Sequence, residues 1–207
     1  MSSTHTPHRQ SVFYRHPLLY DLGIHFLYFN RLKILKEIVG HDMTVFEPAC
    51  GFGRMKQYLY PDCTYSGIDL NEIFVNFGRK KNRNIHLGDI LKEENYRSAD
   101  IILLCDILHH LQMPEIHSMF QIAGKFAKKI IIIEPTFVAI AAKKNLFSQL
   151  LGKFMTRVDS DGFNEITHWM SRDEYQDLFA SLNAVIPILN MTIRHHHYHD
   201  FVEIVLA

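Results

Sequence analysis

The pattern of apolar and polar positions divides the chain into a helical opening, an alternating middle and a different last third. Residues 1–10 are polar and read as a loose tail. Over 17–39, Leu18, Leu19, Leu22, Phe26, Phe29, Leu32, Leu35 and Ile38 recur at helical spacing, and Gly40 supplies a stop. Strand and helix signals then alternate. Residues 43–47 read as a strand, 54–59 as a short helix and 64–69 (TYSGID) as a second strand. Residues 71–82 form a helix with a basic end, as the helix dipole favours. A short strand is expected at 85–87 and a helix at 114–126. The runs DIILLC (100–105) and KIIIIE (129–134) have the continuous apolar character of strands buried on both faces. This alternation predicts an α/β, Rossmann-like sheet of seven mostly parallel strands with helices on both faces.

The last third breaks the alternation. Residues 137–155 are amphipathic, with Leu146, Phe147, Leu150, Leu151 and Phe154 on one face. Residues 171–182 (SRDEYQDLFASL) open with a capping serine and acids in the first turn, so they read as a helix. Residues 184–193 and 201–206 read as two closing strands antiparallel to each other, the last one antiparallel in the sheet. No repeat or linker interrupts the chain, so 1–207 is expected to be a single domain, with a helical segment at 1–40 and an insert at 136–170.

Composition narrows the function classes. Lys plus Arg equals Asp plus Glu at 22 each, which gives no argument for a nucleic-acid partner. The three cysteines, Cys50, Cys63 and Cys105, lack paired spacing, so a reducing, cytoplasmic setting is expected. The N-terminus lacks the apolar centre of a signal peptide, and no apolar run is long enough to cross a membrane.

The chemistry gathers at the strand ends. In open α/β sheets, ligands bind outside the carboxyl ends of the strands. The first strand ends at Glu47 and runs into Gly51-Phe-Gly53, the second ends at Asp69, the third runs into Gly88-Asp89 and the fourth into Cys105-Asp106. Four acids on one rim suit hydroxyls, amines and positive charge better than phosphate. An acid one βα unit beyond the glycine loop is placed to take both hydroxyls of a ribose. Lys56 stands where a dinucleotide fingerprint needs its third glycine, and no phosphate-binding P-loop occurs. A nicotinamide oxidoreductase is therefore disfavoured.

These residues resemble the class I S-adenosylmethionine-dependent methyltransferases, in particular the small-molecule branch that includes ubiquinone, menaquinone and natural-product enzymes. The run Glu47-Pro-Ala49-Cys-Gly51-Phe-Gly53 is similar to that family's E/D-x-G-x-G-x-G, with Ala49 in place of the first glycine. Asp69 in GIDLNEIFV, Asp89 in HLGDI and the segment ADIILLCDILHHL (99–111) match its later signatures in order and spacing, over about residues 30–135. The resemblance implies S-adenosylmethionine as cofactor. The loop with Ala49, Gly51 and Gly53 would pass beneath its methionine part, and Glu47 would organise the loop and face the ammonium, directly or through water. Asp69 would hold the ribose and Leu70 pack against the adenine, with Asp89 and Ile90 at the adenine edge and face. Cys105, by backbone or side chain, and Asp106 would lie near the ammonium and the transferable methyl. The [DNS]-P-P-[YF] signature of nucleic-acid amino-methylating relatives is replaced by Cys105-Asp106-Ile107-Leu108.

Methyl transfer asks mainly for in-line positioning, and a phenol, hydroxyl or carbon acid also gains from a base. His109 and His110 are the candidate bases, with packing at a helix start as the alternative. Glu134 ends the fifth strand on the same rim, so it is expected in the acceptor pocket with His168 and Trp169 from the insert. Trp169 serves equally as a packing residue before the helix that Ser171 caps. The apolar face of the insert, ringed by Lys143, Lys144 and Lys153, admits a hydrophobic acceptor or peripheral membrane contact, or simple lid packing. RHHHYHD (194–200) has metal-ligand chemistry, but it is read as a hairpin turn and no functional metal is expected. The expected activity is C- or O-methylation of a small organic acceptor; protein methylation and cofactor binding without catalysis are the alternatives.

Overall fold

The computed structural model describes residues 15–28, 31–135, 170–196 and 199–207. In chain order the elements are α1 (Pro17–Tyr28), α2 (Ile34–Val39), β1 (Thr44–Pro48), β2 (Thr64–Asp69), α3 (Glu72–Lys80), β3 (Ile85–Leu87), β4 (Ile101–Cys105), α4 (Met113–Phe126), β5 (Lys129–Pro135), α5 (Arg172–Ser181), β6 (Ile188–His196) and β7 (His199–Leu206). The seven strands form one sheet in the order β3-β2-β1-β4-β5-β7-β6. Strands β1 to β5 are mutually parallel, and β7 lies antiparallel between β5 and β6. The expected fold class is the observed one.

Alternation along the strands sorts the core into two layers. Phe46, Ile102, Leu104, Ile130 and Ile132 face α4 and α5. Val45, Ile101, Leu103, Ile131 and Ile133 face the layer that holds Leu35 and Ile38 of α2 and Val75 of α3. Local signals set the helix ends. The Asn71 side chain accepts from the amides of Ile73 and Phe74 to start α3. Ser171 and Glu174 form a reciprocal capping box at α5, as expected from the sequence.

Three boundaries differ from expectation. The opening helical run is α1 and α2 with a 3-10 turn over Arg31–Lys33 between them, which lets Leu32, Leu35, Ile38 and Val39 reach the core. The segment after the glycine loop is 3-10 rather than α, over Arg54–Tyr58. Strand β6 starts later than expected, because a 3-10 turn at Leu182–Ala184 first buries Leu182 and Ile186, and Pro187 lacks the N–H a ladder needs. It also runs further, to His196, because pairing with β7 continues to His196↔His199. Residues 194–196 and 199–200 of the histidine run are therefore paired strand, and β6 and β7 form the expected hairpin. The insert expected at 136–170 lies, apart from Met170, outside the described residues. So do His168, Trp169, Lys143, Lys144 and Lys153.

Among the described residues no helix is long and apolar enough to cross a membrane.

Candidate active site

Strand order reverses between β1 and β4, and a cavity of about 110 Å³ opens there at the carboxyl ends. The loop after β1 bounds it on one side. That loop turns through left-handed conformations at Ala49 (φ +58°), Gly51 (φ +56°) and Gly53 (φ +74°). Glycine adopts these freely, whereas alanine does so at a cost. Packing also drives the loop: an added Cβ on Gly78 of α3 would stand 2.5 Å from the Phe52 carbonyl oxygen, so α3 lies directly on the loop backbone. The Arg83 guanidinium donates to the same carbonyl at 2.8 Å.

Asp69 ties the loop to β2. Its Oδ2 accepts from the Gly51 amide at 2.7 Å and its Oδ1 from the Asn71 amide at 2.8 Å. Glu47 is 2% exposed and accepts a very short hydrogen bond from the Tyr65 hydroxyl. Burial raises its pKa from 4.5 to about 8; the Tyr65 bond opposes that rise, and the neighbouring Asp69 charge adds to it. Burial likewise pushes the thiols of Cys50 and Cys105 well above their ordinary range.

The other wall comes from the turn after β4. Asp106 adopts φ +53°, a strained conformation for a residue with a side chain. Glu134, 1% exposed at the end of β5, holds this turn. Its Oε1 accepts from the amides of Ile107 (2.8 Å) and Leu108 (2.7 Å). Its Oε2 accepts from His109 Nδ1 (2.9 Å) and from the Tyr175 hydroxyl of α5 (3.1 Å). Expected in the wall of an acceptor pocket, Glu134 instead has both oxygens directed at the turn behind that rim.

Of the residues singled out from sequence, Glu47, Ala49, Gly51, Asp69, Leu70, Cys105, Asp106 and His110 border the cavity together. Gly53, Asp89, Ile90, His109 and Glu134 do not. Asp89 accepts from the Leu91 amide at 2.9 Å, and Ile90 is buried in the core beyond the wall. His109 turns towards Glu134, and its ring lies 4.4 Å from that of His110.

No protein-family model matches the sequence, and no curated protein matches it. Solved structures do. An O-methyltransferase family protein from Burkholderia thailandensis gives a TM-score of 0.69 at 15% identity, covering 94% of this chain and 61% of that one. Human N-acetylserotonin methyltransferase, in complex with SAM, gives 0.67 at 15% identity over 94% and 58%. DhpI, in complex with SAH, gives 0.67 at 13% identity over 94% and 93%. The fold is that of the class I methyltransferases. This chain spans about three fifths of the length of the first two structures.

Within this methyltransferase fold, sequence reasoning missed the contribution of α1. Tyr20 borders the cavity and packs against Phe74 (5.0 Å between centroids) and Phe52 (6.1 Å). Arg54 donates to the Asp21 carbonyl (2.7 Å) and to its carboxylate (2.8 Å). An arginine and aromatics are ordinary surface residues until the fold brings them together, so no local signal marked them. A larger cavity of about 780 Å³ lies beyond Arg54, between Leu18, Lys33, Lys36 and Tyr60. None of the strand-end acids borders it, whereas Glu47, Asp69 and Asp106 border the smaller one.

Proposed function

We propose that the protein transfers a methyl group from S-adenosylmethionine to an oxygen of a small organic acceptor. One observation carries the reading: at the strand-order reversal of a methyltransferase fold, Glu47, Asp69 and Asp106 and a left-handed glycine loop surround one cavity. The donor set suits this cofactor chemically. Burial pushes the Glu47 carboxyl up to about 8, and a cation beside it would favour its charged form; the cofactor has an ammonium and a sulfonium. When bound, the cofactor supplies an activated methyl group. In size, about 110 Å³ falls short of ordinary ligand pockets, roughly 300–1,000 Å³. Tyr20 is the wall that α1 contributes.

In this reading Glu47 faces the ammonium and Asp69, at the end of β2, faces the ribose. Leu70 packs on the adenine, whose far end extends over β3 towards Asp89 and Ile90. Asp106 and the Cys105 backbone flank the methionine part. His110, which borders the cavity, is the candidate base. His109 is a positioning residue that acts through Glu134. Residues 136–170 form the acceptor lid. Oxygen as the methylated atom is supported by the name of the similar Burkholderia thailandensis protein.

The test is calorimetric titration with S-adenosylmethionine and S-adenosylhomocysteine, beside Asp69→Ala, followed by an S-adenosylhomocysteine release assay over a panel of phenols and hydroxy acids. Micromolar binding that Asp69→Ala weakens at least tenfold is expected, with turnover that His110→Ala reduces. Folded protein that binds neither nucleoside would overturn the assignment.

A further inference from the structure

The structure contains a second polar cluster on the same rim, and the cofactor reading does not use it. His195 on β6 stands directly across from Asp200 on β7, and Asp200 directly across from Glu134 on β5. Directly paired residues share a sheet face. His195, Asp200 and Glu134 therefore form a row on the face covered by α4 and α5. The row ends at the turn after β4, which Glu134 grips. The intervening alternate residues, His196, His199 and Pro135, fall on the other face.

His195 Nδ1 lies 2.6 Å from Asp200 Oδ1. The Asp200 side chain is 3% exposed, whereas that of His195 is 41% exposed. An ionised carboxylate only accepts, so Nδ1 is the donor towards Asp200, and the Nε2 edge of the ring faces outwards. Nε2 has no hydrogen-bond partner among the described residues. A surface ion pair serving only as a staple gains little and leaves both groups in water. Here the carboxylate is buried at some cost, and the imidazole is fixed in tautomer and orientation at an accessible edge. Among the described residues no group of three or more His, Cys, Asp or Glu is arranged to hold a metal ion. A hydrogen-bond donor on a ligand is the better match.

We propose that His195, oriented by Asp200, recognises a hydroxyl at the far end of an elongated phenolic acceptor. The proposal rests on the methyltransferase reading. Neighbouring strands lie about 4.8 Å apart, so His195 is three strands, roughly 14 Å, from β4, beside which the methyl is delivered. That separation is too long for His195 to take the proton of the methylated oxygen itself. It suits a rigid diphenol with one hydroxyl at the methyl and the other at Nε2. His195 is thus a recognition residue that sets acceptor length and rejects acceptors lacking the second hydroxyl.

The test compares 4,4′-dihydroxybiphenyl with 4-hydroxybiphenyl, which lacks the second hydroxyl, as ligands of the protein loaded with S-adenosylhomocysteine. The ring resonances of His195 are followed by NMR alongside binding. The wild type is expected to prefer the diphenol about tenfold, with a saturable shift at His195. His195→Ala should reduce that preference to about twofold or less and His195→Gln restore part of it, with S-adenosylhomocysteine affinity unchanged throughout. In turnover, His195→Ala should raise KM for the diphenol and leave kcat in place, the mark of lost uniform binding. Equal preference in wild type and His195→Ala overturns the proposal. So does failure of either biphenyl to bind, since the ligand class is part of it. Failure of S-adenosylhomocysteine to bind would instead overturn the methyltransferase reading on which it rests.

Discussion

Glu47 and Glu134 are both buried acids at the carboxyl ends of the sheet, two strands apart, yet they are held differently. Among the described residues Glu47 has a single hydrogen-bond donor, the Tyr65 hydroxyl, and its carboxyl is raised to about 8. Glu134 has four donors, drawn from the turn after β4 and from α5. Burial alone therefore does not define what an acid does. With few donors it keeps its proton; with many it becomes the anchor of a turn. In the proposed reading the β1–β2 side of the rim meets a charge, while the β4–β5 side holds a strained backbone.

The largest effect should come from removing the anchor. Glu134→Ala leaves two amides, an imidazole and a phenol without their buried acceptor, and should destabilise the fold by roughly 3–5 kcal/mol. Urea denaturation checks it, and a loss under about 1 kcal/mol would show that the turn holds itself. Glu134→Gln keeps one acceptor oxygen for the amides but sets an NH₂ against the His109 and Tyr175 donors, so an intermediate loss is expected.

On the other side, backbone contact replaces the carboxylate. Gly78→Ala would place a methyl group 2.5 Å from the Phe52 carbonyl oxygen and 2.3 Å from Ile85 Cδ1. The carbonyl belongs to the loop and cannot yield cheaply, so a loss of about 1–3 kcal/mol is expected. Nucleoside affinity should fall with it, read by thermal melting and calorimetry. An unchanged melting temperature would mean that α3 does not set the loop.

What the sequence made legible follows the same division. The alternation and the continuous apolar runs of β4 and β5 announced the parallel sheet, because burial on both faces leaves that mark. Glu47, Gly51, Asp69 and Asp106 were legible because each sits at a fixed step from a strand end. Tyr20, Asp21 and Arg54 were not, since their meeting depends on where α1 docks. The donors of Glu134 were not legible, because strand-end position shows where an acid is and says nothing of its donors. The histidine run was legible as a hairpin because it lies between two expected strands, but how far the pairing extends into it was not.

Protonation at Glu47 sharpens the contrast further. Its folded pKa, about 8, exceeds the ordinary 4.5, so the folded state holds the proton more tightly. Stability from this group is full below about 4.5 and falls as pH rises towards about 8. A bound cation reverses the preference and draws the proton off. Affinity for S-adenosylmethionine should therefore rise from pH 6 towards 8, by at most about tenfold per pH unit, until the ligand's own ammonium titrates. Proton release, read by calorimetry in buffers of different ionisation heat, should accompany binding. Glu47→Gln should abolish the release and flatten both profiles, and release that persists in that variant would assign the proton elsewhere.

The smallest effect tests strain in the loop itself. Ala49 holds φ +58°, where a Cβ costs about 1–2 kcal/mol. Ala49→Gly removes that cost but gives back part of it, because glycine loses about 0.4–1 kcal/mol more chain entropy on folding. The partly buried methyl also gives up some contact with the core. The net gain should be at most about 1 kcal/mol, a rise of roughly 1–3 °C in Tm for a chain of this size. Ala49→Val places a branched side chain at the same angle and should lose more than Ala49→Gly gains, since β-branched residues tolerate positive φ poorly. The order Gly at or above Ala, and Ala well above Val, is the expected thermal ranking. If valine is tolerated as well as alanine, the backbone at this position relaxes freely, and the loop after β1 is set by Gly51, Gly53 and the Asp69 carboxylate alone.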